Sequence, residues 1–150
     1  MTNRSDCLSK IFVLMGKRGT GKDSVYKKLL LCGLRPMVGT MNIDLNRYNY
    51  LVVGVIETYE GLCEKYGRDV IVPIYLEVDG GTRFQRILDQ ERKKEHPKYE
   101  KLCQSFIDEA KDYSEERLGM VGIDDEYRFQ NENLCECIRK IGGFIRENIR

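Results

Sequence analysis

The feature that most constrains this chain is residues 16–24, GKRGTGKDS, which contain the pattern G-x-x-x-x-G-K. An apolar run, Ile11–Met15, precedes the pattern, and Val25–Leu31 follows it with apolar residues at helical spacing. The first run predicts a buried parallel strand and the second a helix that ends before Gly33. A strand, a glycine-rich loop and a helix in this order form the context of a phosphate-binding loop. The alternative is an ordinary glycine-rich turn that carries a surface lysine.

The composition of this loop suits the phosphates of a nucleoside triphosphate. Its glycines permit a tight turn whose N–H groups converge on an anion at the positive end of the following helix. Lys22 adds a mobile positive charge for the β- and γ-phosphates. We therefore predict that ATP phosphates bind to Gly16, Lys17, Arg18, Gly19, Thr20, Gly21, Lys22, Asp23 and Ser24.

The residues after Lys22 are the candidate ligands of Mg²⁺. The first of these positions usually holds Ser or Thr, but here it holds Asp23, and Ser24 comes one residue later. A carboxylate is a hard oxygen donor for Mg²⁺, although it also brings negative charge close to phosphate. The sequence leaves both Asp23 and Ser24 as metal ligands.

Length and charge narrow the class of protein. The 150 residues predict one domain, residues 1–150, and a formal net charge of +1 does not indicate a nucleic-acid binder. No apolar run approaches the length of a membrane span, and residues 1–10 lack the apolar core of a signal peptide. Six scattered cysteines without a C-x-x-C pair, together with a single histidine, do not predict a zinc site. We expect free thiols and a cytoplasmic protein that binds neither nucleic acid nor membrane.

The remaining pattern predicts alternating strands and helices. Residues 34–49 are expected to form an irregular connection, Tyr50–Val53 a strand and Glu57–Tyr66 a helix. Val70–Val78 is the most apolar strand candidate, and Pro73 within it predicts a bulge or an edge position. This alternation predicts an α/β fold with a parallel sheet flanked by helices.

Residues 81–118 are charged and helical, with an interruption at His96–Pro97. A wide apolar stripe is predicted in the second half of this region, formed by Tyr99, Leu102, Cys103, Phe106, Ile107 and Ala110. The last segment, Glu132–Ile149, predicts a helix that Gly142–Gly143 weakens in the middle. One face of that helix carries Leu134, Ile138, Ile141 and Ile145.

Three arginines in this charged region admit two interpretations. Arg83, Arg86 and Arg92 are either part of a solvated helix face with acidic partners such as Glu91 and Glu95, or a lid of guanidinium groups over transferring phosphates. The helix pattern by itself favours the solvated face. Forked arginine donors are, however, well suited to neutralise phosphate charge.

Four stretches of the chain resemble guanylate kinases, in particular a bacterial guanylate-kinase-like subgroup. These stretches are LMGKRGTGKDSVYKKLL, YLVVGVIETYEGL, DVIVPIYLEVDGGTRFQRILDQERKKEHPKYEKLC and FQNENL. The resemblance implies a P-loop kinase core with a helical lid over residues 81–118, which transfers the γ-phosphate of ATP to GMP with Mg²⁺. It also implies catalytic roles for Lys22, Arg83, Arg86 and Arg92, and a place for Asn131 beside the adenine.

The chain departs from that family on the acceptor side. The family's GMP-binding subdomain, with its T-T-R-x-x-R run, would fall at residues 32–49, which are too few to fold it and lack the run. Gln104–Ser105 replace a pair of lid arginines. The strand Leu51–Val55 lacks the aspartate that helps to hold Mg²⁺, and Glu57 is the nearest acid.

Two functions are consistent with a chain that matches this family on the ATP side and departs from it on the acceptor side. One is a nucleoside-monophosphate kinase acting on ATP and GMP. The other is an inactive nucleotide-binding or protein-interaction module, in which a protein partner or a second copy of the chain covers the open acceptor side. The short interval is either genuine or reflects omitted residues or a deletion in the gene. A break in the backbone near Val38, Gly39 and Thr40 would indicate omitted residues and an ordinary kinase, whereas a continuous loop would favour the truncated module.

Overall fold

Five parallel strands form one sheet in the order β2-β3-β1-β4-β5 in a computed structural model that describes residues 9–38 and 42–149. The strands are β1 (Ile11–Gly16), β2 (Arg35–Pro36), β3 (Tyr50–Val53), β4 (Ile71–Glu77) and β5 (Arg128–Gln130). The helices are α1 (Lys22–Leu30), α2 (Ile56–Tyr66), α3 (Gly80–Arg92), α4 (Tyr99–Asp112), α5 (Glu115–Met120) and α6 (Leu134–Asn148), with a short 3₁₀ turn at Asp125–Tyr127. The α/β fold with a parallel sheet is confirmed.

Strand β1 lies at the centre of the sheet because it is apolar on both faces. Its odd-numbered side chains join one buried cluster with residues of α2 and α5, and its even-numbered side chains join a second cluster with α1 and α6. Ile11 to Met15 are fully buried, which is the pattern of a parallel strand covered on both sides. The central strand therefore brings the glycine-rich loop to the carboxyl edge of the sheet.

Pro73 lies neither at a bulge nor in an edge strand, because β4 is an inner strand of the sheet. It pairs with Val13 on the β1 side in a continuous register, so no bulge is present there. On the other side, β5 pairs only with Tyr75–Glu77. A missing N–H at Pro73 therefore costs no ladder bond to β5.

The charged region 81–118 forms three helices, and its apolar stripe is narrower than predicted. Of the six stripe residues on α4, Leu102 is buried and Phe106 is partly buried, whereas Tyr99 and Ile107 are 47% and 50% exposed. Helix α4 packs mainly on α3 rather than on the sheet, so only one narrow face finds a partner. In α6, by contrast, Gly142 and Gly143 do not interrupt the helix.

The interval 32–49 is part of the core rather than a separate subdomain. It contributes the two-residue edge strand β2, and Met37, Ile43, Leu45 and Tyr48 pack against the cluster beside β1 and β3. The test of backbone continuity at Gly39 and Thr40 lies outside the described residues. No helix within residues 9–38 and 42–149 has the length and apolar character needed to cross a membrane.

Candidate functional site

The glycine-rich loop between β1 and α1 has the backbone geometry of an anion cradle. Gly19 and Gly21 have φ angles of +86° and +83°, which side-chain-bearing residues rarely adopt. A Cβ atom at Gly19 would lie 3.0 Å from the carbonyl oxygen of Arg83, and one at Gly21 would lie 2.7 Å from Nδ2 of Asn131. Both glycines are thus required by the turn and by close neighbours.

The N–H groups in the second half of this loop, from Gly19 to Ser24, are available to bind an anion. Within the described residues, no hydrogen-bond acceptor contacts the backbone N–H of any residue from Gly19 to Ser24. Helix α1 starts immediately after the left-handed Gly21 and has no side-chain cap. A row of unpaired N–H groups at a helix N-terminus is the arrangement that binds phosphate.

Two lysines supply positive charge at the same place. Lys22 Nζ donates to the carbonyl oxygens of Gly16 and Lys17, so its ammonium lies folded across the loop. Burial lowers the pKa of Lys22, and nearby Glu109 and Asp23 partly offset that effect. Burial also lowers the pKa of Lys17, and the charge of Arg83 adds to the lowering. A bound phosphate would favour the charged forms of both lysines and would offset the lowering of their pKa values by burial.

Helix α3 places two arginines on the loop. Arg83 is only 4% exposed, donates from Nη1 to the Arg18 carbonyl at 3.3 Å, and lies over the Phe106 ring at 4.6 Å. Arg86 donates from Nη1 to the Gly19 carbonyl at 3.0 Å. The interpretation of these residues as a solvated helix face is therefore wrong for Arg83.

Arg92 lies apart from the loop contacts made by Arg83 and Arg86. Its side chain is 60% exposed and forms an ion pair with Asp89 at 3.9 Å. The acidic partners named from the sequence, Glu91 and Glu95, pair with Lys94 and His96 instead. Arg92 resembles the solvated side chain that the helix pattern favoured.

Sequence reasoning missed Glu109, whose carboxylate reaches the loop from α4. Both of its oxygens accept from the backbone N–H of Arg18, at 2.9 and 3.1 Å. The signal available in the sequence is its spacing of three from Phe106, which places both residues on one face of α4. That spacing does not by itself distinguish Glu109 from the other acids of this charged region.

Asn131 directly follows β5, and its side chain makes a hydrogen bond that holds the loop in place. Its Nδ2 donates to the Thr20 carbonyl at 2.7 Å, and its backbone N–H donates to the Glu77 carbonyl at 2.9 Å. The side chain is buried, and its Oδ1 has no hydrogen-bond partner among the described residues. Asn131 therefore contacts the phosphate loop directly, and it also lines a cleft of about 470 Å³ with Gly21, Ser24 and Arg86.

The candidate metal ligands lie at the open side of the loop. Asp23 and Ser24 occupy the first turn of α1, both exposed, and neither side chain has a hydrogen-bond partner within the described residues. A carboxylate and a hydroxyl beside unpaired loop N–H groups form a donor set that fits Mg²⁺ together with phosphate. Glu57, the other acid considered, pairs with Arg117.

The space beside the Glu57–Arg117 ion pair is small. Next to the N-terminus of α2, a cavity of about 100 Å³ is bounded by this ion pair and by Tyr113. The short interval 32–49 packs on the core. The cleft of about 470 Å³ beside the glycine-rich loop is therefore much larger than the cavity beside Glu57.

Comparison with known proteins gives a fold but not a family. No family model and no curated protein sequence matches the chain. Among solved structures, a gluconokinase from Sinorhizobium meliloti 1021 is similar over 94% of this chain and 93% of its own, with a TM-score of 0.59 and 15% identity. A guanylate kinase from Anaplasma phagocytophilum is similar over 95% of this chain and 87% of its own, with a TM-score of 0.53 and 14% identity. An uncharacterized protein from Eubacterium ventriosum has a TM-score of 0.53 at 12% identity, over 93% and 99% of the two chains.

These neighbours confirm the P-loop kinase core. The parallel sheet, the loop after β1 and the helices around them have the arrangement found in P-loop kinases. At such identities the likeness extends to the fold alone.

Proposed function

We propose that this protein is an ATP-dependent phosphotransferase of the nucleoside-monophosphate kinase type, with GMP as the acceptor that the resemblance to guanylate kinases implies. The observation that carries the proposal is the glycine-rich loop, in which the N–H groups from Gly19 to Ser24 have no acceptor among the described residues and Lys22 Nζ lies on the loop carbonyls. Its two lid contacts, from Arg83 and Arg86, bring further positive charge to the loop carbonyls. Phosphoryl transfer depends mainly on such positioning and charge neutralisation.

Each part of the site has a role in this proposal. The loop N–H groups and Lys22 hold the β- and γ-phosphates, and Asp23 or Ser24 holds Mg²⁺, which neutralises phosphate charge when bound. Arg83 and Arg86 stabilise the charge that spreads over the transferring group. Asn131 fixes the shape of the loop and borders the cleft in which the base would lie.

Calorimetry with MgATP tests the nucleotide site. We expect Lys22→Ala to weaken binding at least about tenfold, because a charge-assisted contact of about 1.5–3 kcal/mol is lost. Lys27→Ala is the matched control, since Lys27 is an exposed lysine of the same helix. Equal binding by wild type and Lys22→Ala would show that the loop does not hold the phosphates.

A coupled assay for ADP formation tests the transfer and its acceptor. The panel contains GMP, AMP, CMP and UMP, and also gluconate, because the neighbouring gluconokinase matches this chain over nearly its full length. Turnover above the ATPase background with GMP supports the proposal. Turnover with gluconate alone would keep the phosphotransferase but replace its acceptor.

A second function, nucleotide binding without transfer, is favoured by the small acceptor side. The cavity beside Glu57 and Arg117 is about 100 Å³, and residues 32–49 add no separate subdomain to it. In this case MgATP binds in a Lys22-dependent manner, but no acceptor on the panel is phosphorylated. The protein would then act through a protein partner or a second copy of itself.

A further inference from the structure

A carboxylate accepts from one backbone N–H group of the glycine-rich loop. Both oxygens of Glu109 accept from the backbone N–H of Arg18, which lies in the middle of the glycine-rich run. The same carboxylate is close enough to raise the pKa values of Lys17 and Lys22 against the lowering caused by burial. Glu109 therefore interacts with the loop in the way that a phosphate oxygen would.

The Glu109 contact is part of a packed arrangement of α3, α4 and the glycine-rich loop. Arg83 donates to the carbonyl of the same residue, Arg18, so α3 and α4 bind the two polar groups of one loop residue. Phe84 of α3 and Phe106 of α4 pack edge to face at 5.1 Å, which couples the two helices. Glu109 is therefore held beside the loop by the packing of α4 on α3.

We propose that Glu109 is a built-in competitor of the nucleotide phosphates for the Arg18 N–H group, so that a polyphosphate reaches this donor of the loop only by displacing the carboxylate. The proposal rests on the proposed nucleotide site. It adds that α4 supplies an anion to the loop, and that a nucleotide binds more weakly because its phosphates must first displace this carboxylate from the Arg18 N–H. Like charges prevent the carboxylate and a phosphate from sharing one N–H.

The test compares wild type, Glu109→Gln and Glu109→Ala in calorimetry with MgATP and with inorganic tripolyphosphate. We expect both variants to bind both probes about tenfold more tightly, since one charge-assisted hydrogen bond no longer competes. Glu100→Gln is the matched control, because Glu100 is an exposed acid of the same helix and makes no loop contact. Adenosine, which lacks phosphates, should bind equally to all forms.

The outcomes separate this inference from the proposed function. If wild type binds MgATP in a Lys22-dependent manner and the Glu109 variants bind it equally or more weakly, Glu109 is not a competitor, while the nucleotide site stands. If neither wild type nor any variant binds MgATP or tripolyphosphate, both proposals are wrong. Nuclear magnetic resonance gives an independent readout, because the amide signal of Arg18 should shift in Glu109→Gln and, in wild type, on addition of tripolyphosphate.

Discussion

Replacing Asn131 with alanine should loosen the phosphate loop and destabilise the fold by about 2 kcal/mol. The substitution removes the 2.7 Å bond to the Thr20 carbonyl, a contribution of about 0.5–1.5 kcal/mol. It also leaves that carbonyl buried without its partner, at a cost of about 1–3 kcal/mol. The substitution also removes Oδ1, a buried polar atom with no partner among the described residues, and this gain in stability offsets part of the loss. The two contributions sum to about 1.5–4.5 kcal/mol, and the gain from removing Oδ1 brings the net loss to about 2 kcal/mol, in the lower half of that range.

Urea denaturation followed by circular dichroism measures this loss, since the chain has no tryptophan for fluorescence. Asn46→Ala is the control, because Asn46 is exposed and its substitution should change the free energy of unfolding by less than about 0.5 kcal/mol. Asn131→Asp should cost more than Asn131→Ala, since it places a carboxylate oxygen against the Thr20 carbonyl. A free energy of unfolding for Asn131→Ala within about 0.5 kcal/mol of wild type would refute the role of this side chain as a brace.

Coupling between Asn131 and Gly21 gives a second measure of the same contact. Gly21→Ala introduces a Cβ 2.7 Å from Asn131 Nδ2 in addition to the strain of its positive φ angle. In the double variant Gly21→Ala/Asn131→Ala the steric part of that cost disappears, whereas the backbone strain remains. We expect the two losses to be less than additive, and strict additivity would contradict the contact.

Further predictions concern the lid, pH and the thiols. Gly19→Ala should destabilise by about 1–3 kcal/mol more than Gly33→Ala in urea denaturation, because both have positive φ angles but only Gly19 lies against the α3 backbone; equal losses would contradict this. The pKa of Glu91 is lowered, first by the backbone N–H of Lys98 at the start of α4 and then by the ammonium group of Lys94. The ionised Glu91 therefore stabilises the folded protein fully above the ordinary carboxyl pKa, and this contribution to the free energy of unfolding disappears as pH falls through the lowered pKa. The stability difference between wild type and Glu91→Gln should accordingly shrink in acid, and a difference independent of pH would refute it. Burial raises the pKa of Cys137 to about 11 and also raises that of Cys63, so a thiol reagent followed by peptide mapping should leave both unmodified in the native protein.

The sequence predicted most reliably those elements whose conformation depends mainly on their own residues. Ile11–Met15 and Tyr50–Val53 are apolar runs bounded by polar residues or glycine, and both form strands within one residue of their predicted bounds. The G-x-x-x-x-G-K pattern specifies its own turn, since glycine adopts the φ angles found at Gly19 and Gly21 far more readily than residues with side chains. These features depend on local chemistry, which a single sequence contains.

The remainder depends on contacts between distant segments. Strands β2 and β5 have only two and three residues, too short for a periodic pattern, and they exist because neighbouring strands pair with them. Arg83 is buried because Phe106 and the loop surround it, which no helical spacing reveals. Glu109 reaches Arg18 across 91 positions of the chain, so its role follows from the packing of α4 and not from its own pattern.

The two ends of the sheet affect how the protein behaves at high concentration. The outer strand β2 has two residues, of which Pro36 has no N–H to donate, and Arg35 places its guanidinium over the Tyr48 ring at 3.9 Å. The opposite strand, β5, has three residues and carries Arg128, which is held by Glu115. Short charged borders of this kind give a neighbouring molecule few backbone groups to pair with. The sheet should therefore resist extension from one molecule to the next, and association of the folded protein should use side-chain surfaces instead.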